Sequence, residues 1–176
     1  MLPNLTLVLG GAGSGKSAMA ERLAEGTGLR PVYIATSHAA DDEMREKIRL
    51  HQERRGQRWT TYEIPIQIEE NIARHTGSDV ILIDCITMWV MNLMAQKLDP
   101  ATCVGNLLQT LKSADCSVIL VSGETGMGII PDNRLSRQFN HCLSAANQAI
   151  AAQAELVILT VAGLPVMLKG NLPEWL

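Results

Sequence analysis

Aromatic side chains are scarce in this chain: one Phe, two Tyr and three Trp make up 3% of its 176 residues. Its core must therefore be built from Leu, Ile, Val, Ala and Met. An excess of one charge is also lacking. Lys and Arg number 15 against 18 for Asp and Glu, a net charge of −3. Such a surface has no global pull on nucleic acid or on an anionic membrane, so a bound polyanion has to be gripped by a local site. Paired cysteines are missing as well. Cys85, Cys103, Cys116 and Cys142 show no CxxC spacing, which argues against structural zinc and a redox dithiol. Reduced thiols in the cytoplasm are the simplest expectation. The N-terminus lacks a basic region and its first apolar run is only five residues, unlike a secretory signal. The apolar stretch from Val80 to Ala95 is too short for a membrane span and is broken by Asp84 and Asn92. No nucleic-acid partner and no membrane insertion are expected.

What is present is a globular composition, 47% hydrophobic and 19% charged. No repeat, low-complexity stretch or linker divides the chain, so residues 1–176 read as one domain. Leu5–Leu9 is a short apolar run ending in glycines and reads as a buried strand. A helix is predicted from Ser17 to Glu25, a strand at Val32–Ala35, and a helix from Asp41 to about Arg54, its start charged by Asp41 and Asp42. A strand follows at Trp59–Ile64 and a helix at Ile66–Arg74. Val80–Asp84 is apolar almost throughout, the mark of a strand covered on both faces. Helices at 86–96 and 101–113, a strand at Ser117–Val121, a long helix from Asn133 to Ala152, a strand at Leu156–Val161 and a short one at Val166–Leu168 complete the pattern. Strands alternating with helices imply an α/β fold, a mainly parallel sheet flanked by helices. Ligands of such sheets sit beyond the carboxyl ends of the strands.

Gly10-Gly11-Ala12-Gly13-Ser14-Gly15-Lys16-Ser17 fits G-x-x-x-x-G-K-S/T between a predicted strand and a predicted helix. Triphosphate oxygens need backbone N–H groups around them, which glycines allow by leaving side chains out of the way. The following helix points its positive end at the phosphates. Lys16 brings a point charge to the β and γ oxygens, and Ser17 a hydroxyl ligand for Mg²⁺. The loop predicts a phosphate-loop NTPase-type fold binding GTP or ATP. Asp84 closes its strand where a carboxylate either holds Mg²⁺ or caps the next helix.

Met44, Ile48 and His51 share one face of the predicted helix 41–54, with Lys47 beside His51. From spacing alone, His51 is either a functional group or a histidine at the edge of an apolar stripe.

Nearly the whole chain resembles the bifunctional adenosylcobinamide kinase / adenosylcobinamide-phosphate guanylyltransferases of cobalamin biosynthesis. The resemblance rests on the loop at 10–17, Tyr33-Ile34-Ala35-Thr36-Ser37, Asp41-Asp42-Glu43-Met44 with Ile48 and His51, Asp84-Cys85-Ile86-Thr87 with Asn92-Leu93, and a long run at 123–139. It implies two reactions. A nucleoside triphosphate phosphorylates the aminopropanol hydroxyl of adenosylcobinamide. GTP then transfers GMP to that phosphate through a covalent histidine intermediate, which would fall on His51. The implied guanine-nucleotide contacts are the 10–17 loop, Ala35, Thr36, Ser37, Gln52, Glu53, Arg54, Arg55, Glu63 and Asp84. The implied assembly is a homo-oligomer, a trimer. A neutral imidazole suits the chemistry, being nucleophilic toward an α-phosphorus and a good leaving group once protonated. The chain departs from the family pattern at Gly13, where Arg is common, at Gln52-Glu53-Arg54-Arg55, and at Gly123, where the family has Asn.

Two other readings compete: a monofunctional phosphate-loop kinase, and a nucleotide-dependent switch. The absence of an N-K-x-D motif weighs against the switch. Glu124 either assists deprotonation of the attacking hydroxyl or pairs with Arg134 or Arg137. Asn133, Arg134 and Arg137 contact either a phosphate or a neighbouring subunit.

Overall fold

The computed structural model describes residues 1–37 and 56–176. Strand β1 (Leu5–Gly10) leads into helix α1 (Lys16–Gly26), then β2 (Arg30–Ala35). After residues 38–55 come a 3₁₀ turn (Gly56–Arg58), β3 (Thr60–Glu63) and the one-turn α2 (Glu69–Ile72). Then follow β4 (Asp79–Asp84), α3 (Ile86–Ala95), α4 (Pro100–Ser113), β5 (Ser117–Gly123), α5 (Arg134–Gln153), β6 (Leu156–Val161) and β7 (Leu164–Lys169). The seven strands form one sheet in the order β3-β2-β4-β5-β1-β6-β7. Every pairing is parallel except the β6–β7 hairpin. The expected α/β architecture is therefore present.

Residues of period two divide each strand between the faces. Leu5, Leu7, Leu9, Ile34, Ile81, Ile83, Val118 and Leu120 pack under α2 to α5, around the fully buried Trp89. Val8, Tyr33, Leu82, Ile119 and Ile158 face α1 through Met19, Ala20, Leu23 and Ala24. The core is aliphatic on both faces, as the shortage of aromatics requires. Helix starts are capped where the sequence has the residue for it. The Asp99 carboxylate accepts from the Thr102 N–H (3.0 Å) ahead of Pro100, and Asn133 Oδ1 accepts from the Ser136 N–H (2.8 Å).

Two elements differ from expectation. The helix anticipated over Ile66–Arg74 shrinks to α2. The Ile66 carbonyl is taken by the Trp89 indole N–H (2.6 Å) and by the Ile68 N–H (3.0 Å), so it begins no helical turn. The last strand is longer than the predicted Val166–Leu168. Ala162 (φ 51°) and Gly163 (φ 79°) are both left-handed, the geometry of a tight hairpin turn, and they fold β7 back on β6. The helix expected at 41–54 lies outside the described residues.

Two helices are placed by polar contacts at the strand ends. Thr87, at the start of α3, accepts from the Gly123 N–H at the end of β5 (2.6 Å). Asn92, later in α3, donates to the carbonyls of Thr36 (2.7 Å) and Pro65 (3.0 Å), just past β2 and β3. Helix α3 thus runs across the carboxyl edge of the sheet. In α5, Asn147 accepts from the Ser122 hydroxyl (2.6 Å) and donates to the Gly123 carbonyl (3.0 Å), again at that edge. Eight positions on, the Glu155 N–H meets the Leu5 carbonyl at the opposite edge (3.0 Å). Residues 134–146 of α5, roughly 20 Å of helix at 1.5 Å per residue, consequently stand beyond the strand ends.

The amino edge is tied by Asp79, which meets Arg30 Nε at 2.9 Å and His75 Nδ1 at 3.3 Å. Burial pushes its carboxyl up. Hydrogen bonds from the Thr76 N–H and His75 and the charge of Arg30 outweigh that and hold it below its ordinary value.

Leu23→Ala, emptying a fully buried position under α1, should lower stability by about 2–5 kcal/mol in equilibrium urea unfolding, whereas Gln109→Ala on the exposed face of α4 should stay within about 0.5 kcal/mol. Because the folded value of Asp79 is depressed, the stability it lends is complete above the ordinary carboxylate range and is lost as pH falls through the folded value. Asp79→Asn should flatten that acid limb of stability measured against pH.

Candidate functional site

Among the described residues, those at 10–17, 35–37, Glu63, Asp84 and Glu124 gather at the carboxyl edge of the sheet. Register sets Glu63, Ala35 and Asp84 level across β3, β2 and β4, while Gly10 pairs with Gly123 across β1 and β5. Strand β5 lies between β1 and β4, so the phosphate loop and Asp84 flank the end of β5.

The loop's shape demands its glycines. Gly13 (φ 69°) and Gly15 (φ 91°) are left-handed, where a side chain is strained. A Cβ on Gly15 would also lie 3.1 Å from the Gly163 Cα, and one on Gly10 would lie 2.8 Å from the Thr160 carbonyl oxygen. The β6–β7 turn braces the loop from behind, with the Gly163 N–H donating to the Ser14 carbonyl (2.9 Å). The first backbone bond of α1 runs from the Met19 N–H to the Gly15 carbonyl (3.0 Å), so the amides of Lys16, Ser17 and Ala18 precede the helical ladder and offer themselves to an anion. Lys16 Nζ bends back onto the Gly11 carbonyl (3.2 Å), over the mouth of the loop.

Cys85, next to Asp84, feels the charges of both Asp84 and Lys16. Burial first, and the Asp84 charge second, push its thiol up to about 11, while the Lys16 ammonium pulls the other way. Among the described residues neither the Asp84 carboxylate nor the Ser17 hydroxyl has a hydrogen-bond or ion-pair partner. No group of three or more His, Cys, Asp or Glu able to hold a metal occurs among them either. One carboxylate and one hydroxyl suit Mg²⁺, which keeps waters and takes its other ligands from phosphate oxygens. The donor set fits that ion and no self-standing metal centre. Asp84 does not cap α3, whose N-cap is Cys85 with no side-chain hydrogen bond.

Thr36 is fully buried, and its hydroxyl is committed. It donates to the Cys85 carbonyl (2.7 Å) and accepts from the Cys85 N–H (2.8 Å), tying the end of β2 to that of β4. Its side chain holds the edge together and turns nothing toward a ligand. Ala35 is buried, Ser37 half-buried and Glu63 exposed at the end of edge strand β3. His51, Gln52, Glu53, Arg54 and Arg55 lie outside the described residues.

The end of β5 is set by contacts that sequence reading did not assign. The Glu124 N–H donates to the Gly10 carbonyl (3.1 Å), fastening this strand end to the phosphate loop. The Glu124 carboxylate accepts from the Gly126 N–H (2.7 Å), and no ion pair with Arg134 or Arg137 forms. Arg137 instead donates to the carbonyls of Pro131 (3.0 Å) and Asp132 (2.6 Å). Asn133 spends its side chain capping α5. Thr87 and Asn147 are the missed supports. Thr87 lies three residues after Asp84, the one local signal, but its partner is 36 positions away.

Comparison with known proteins identifies the family and the fold. Residues 6–168 match the family model described as cobinamide kinase / cobinamide phosphate guanyltransferase. The chain is 43% identical to the bifunctional adenosylcobalamin biosynthesis protein CobP of Pseudomonas aeruginosa, over 94% of this chain and 97% of that one. It is 38% identical to CobU of Salmonella typhimurium and 36% to CobU of Escherichia coli, proteins of the same description, over 94% of this chain and 99% of each. Among solved structures, the flagellar accessory protein FlaH of Methanocaldococcus jannaschii superposes with a TM-score of 0.54 at 14% identity, covering 96% of this chain and 79% of that one. An ATPase of a bacterial type III secretion system gives 0.59 at 11% identity, covering 94% and 57%. These last two likenesses show the fold, a phosphate-loop NTPase fold, and nothing further.

Thr36→Val should leave both backbone groups of Cys85 unpaired, costing about 1–3 kcal/mol for each orphaned group in urea unfolding. Cys85 in the unaltered protein should resist iodoacetamide at mildly alkaline pH, because burial keeps its thiol protonated. Mass spectrometry of the alkylated protein should find Thr36→Val labelled faster there.

Proposed function

The chain belongs to the cobinamide kinase / cobinamide phosphate guanyltransferase family, and from that premise we propose how its residues divide the two transfers. The protein is a bifunctional transferase of adenosylcobalamin biosynthesis, using nucleoside triphosphate and cobinamide. What supports a residue assignment is that the phosphate loop and Asp84 stand on either side of the end of β5, at the carboxyl edge of the sheet.

In the kinase step, GTP or ATP lies with its phosphates on the amides of residues 10–17. The aminopropanol hydroxyl attacks the γ-phosphorus, the bond to the β–γ bridging oxygen breaks, and the nucleoside diphosphate leaves with the hydroxyl proton passed to solvent or to a nearby carboxylate. Lys16 follows the charge onto the leaving oxygen, which is the largest electrostatic help such a loop offers. Ser17 and Asp84 are the residues that would hold Mg²⁺, whose contribution is to neutralise phosphate charge. In the guanylyl step, His51 attacks the α-phosphorus of GTP and pyrophosphate leaves. The phosphate oxygen of cobinamide phosphate then attacks the same phosphorus, breaking the P–N bond to a protonated imidazole. Ala35, Thr36, Ser37, Gln52 to Arg55 and Glu63 complete the nucleotide surroundings, Thr36 by positioning β2 against β4.

We assign the protein to the cytoplasm, which its four free cysteines support. No helix of the described residues is long and apolar enough to cross a membrane. The assembly we infer is a homotrimer. An exposed apolar stripe on edge strand β7, Leu164, Val166 and Leu168, supports self-association.

GTP labelled on its α-phosphate should leave an acid-labile, alkali-stable label on the protein, and His51→Asn should abolish it; a label retained by that variant removes the nucleophile assignment. Lys16→Ala should lower both kcat values at least about a hundredfold. Light scattering should give three times the 19.1 kDa chain mass.

A further inference from the structure

The carboxyl edge has more wall than a nucleotide needs. Residues 134–146 of α5 stand above it, α3 lies across it, and between them runs a groove of about 680 Å³. Its lining is largely aliphatic and sulfur-bearing, with Met91, Met94, Leu98, Leu135, Phe139 and Cys142, and its polar groups include Lys97, Asp99 and Gln138. Leu135 is 70% exposed and joins the groove to a second apolar surface on the β5–α5 loop. There Met127 is 77% exposed, Ile129 96% and Ile130 79%. Four large aliphatic side chains left this bare within nine residues of chain are the kind of exposure that marks a binding surface.

The patch is anchored at the reaction centre. Its loop leaves the sheet at Glu124, whose N–H is fastened to the Gly10 carbonyl of the phosphate loop at 3.1 Å. Met127 follows three residues later, at most about 11 Å of chain away. The acceptor hydroxyl must enter in line with the γ-phosphorus, beyond the ends of β1, β5 and β4. The rest of the acceptor then has to lie on whatever rises beside that point, and among the described residues this loop and the projecting half of α5 rise there.

We propose that the β5–α5 loop (Met127, Ile129, Ile130) and the groove between α3 and α5 form the corrinoid subsite, holding the macrocycle of cobinamide while its aminopropanol arm reaches the phosphate loop. A corrin ring presents broad apolar faces edged with methyl groups and carries amides around its rim. The apolar floor matches the faces, and Lys97, Asp99 and Gln138 offer donors and acceptors to rim amides. A ring of that breadth overfills a groove of about 680 Å³, so the loop covers the part that the groove leaves out. One site serves both reactions, because the second acceptor is the phosphorylated product of the first and keeps the same ring. This inference rests on the cobinamide-kinase reading above.

The test is steady-state kinetics on Ile130→Asp and Leu135→Asp, two exposed positions whose substitution leaves the core intact. Each should raise KM for cobinamide in the kinase reaction at least about tenfold, with KM for the nucleotide and the mass by light scattering unchanged. Equilibrium dialysis of cobinamide against the same variants, without nucleotide, should show the same loss in affinity. Unchanged cobinamide KM in both variants overturns the subsite. A rise in KM accompanied by loss of oligomer mass overturns it too, assigning the patch to contact between copies. If the unaltered protein phosphorylates no cobinamide, the functional reading fails first and this proposal falls with it; an active protein with indifferent variants removes the subsite alone.

Discussion

Parallel strands end with their last backbone groups unpaired, and in this protein the way those ends are tied together governs everything built on them. Thr36 joins β2 to β4 by giving and receiving one hydrogen bond with Cys85. Thr87 holds the last amide of β5, Asn147 its last carbonyl, and the Glu124 N–H ties β5 to the first residue of the phosphate loop. Each of these groups would cost about 1–3 kcal/mol if buried without a partner. The same bonds that satisfy them fix where the phosphate loop, Asp84 and the β5–α5 loop stand relative to one another.

That arrangement lets a weakly acidic protein hold a polyanion. Its net charge of −3 offers no attraction at a distance. In the proposed function, backbone amides at the start of α1 and the Lys16 ammonium do so locally. Asp84 is left unpaired among the described residues, close enough to act on Cys85 together with Lys16. A lone carboxylate at a strand end suits a cation that arrives with its phosphates. A stronger standing cluster of acids would repel the nucleotide.

The fold was legible in the sequence to the extent that its causes are local. Apolar runs such as Val80–Ile83, glycines ending helices, Asp99 before Pro100, and the spacing of the 10–17 loop each act within a few residues. The strands and most helices follow from them. Where a distant group intervened, reading failed. The helix expected at Ile66–Arg74 is cut short by Trp89, which takes the Ile66 carbonyl across 23 positions. Strand β7 came out longer than expected because Ala162 accepts a left-handed conformation that its side chain does not advertise.

By itself the sequence marked residues 10–17 as a phosphate-binding motif, and through its scattered motifs it pointed to the family. Its local patterns also gave an α/β sheet with the site at the carboxyl edge. Only the tertiary structure decided the strand order that sets β5 between the loop and Asp84. It committed the Thr36 hydroxyl to Cys85, gave the Asn133 and Arg137 side chains to the start of α5, and stood the first half of α5 above the sheet beside α3. The physical reason is separation along the chain. Phosphate binding needs amides from consecutive residues, which a short motif encodes whole, whereas clamps and grooves are made by groups dozens of positions apart, whose meeting no local pattern records.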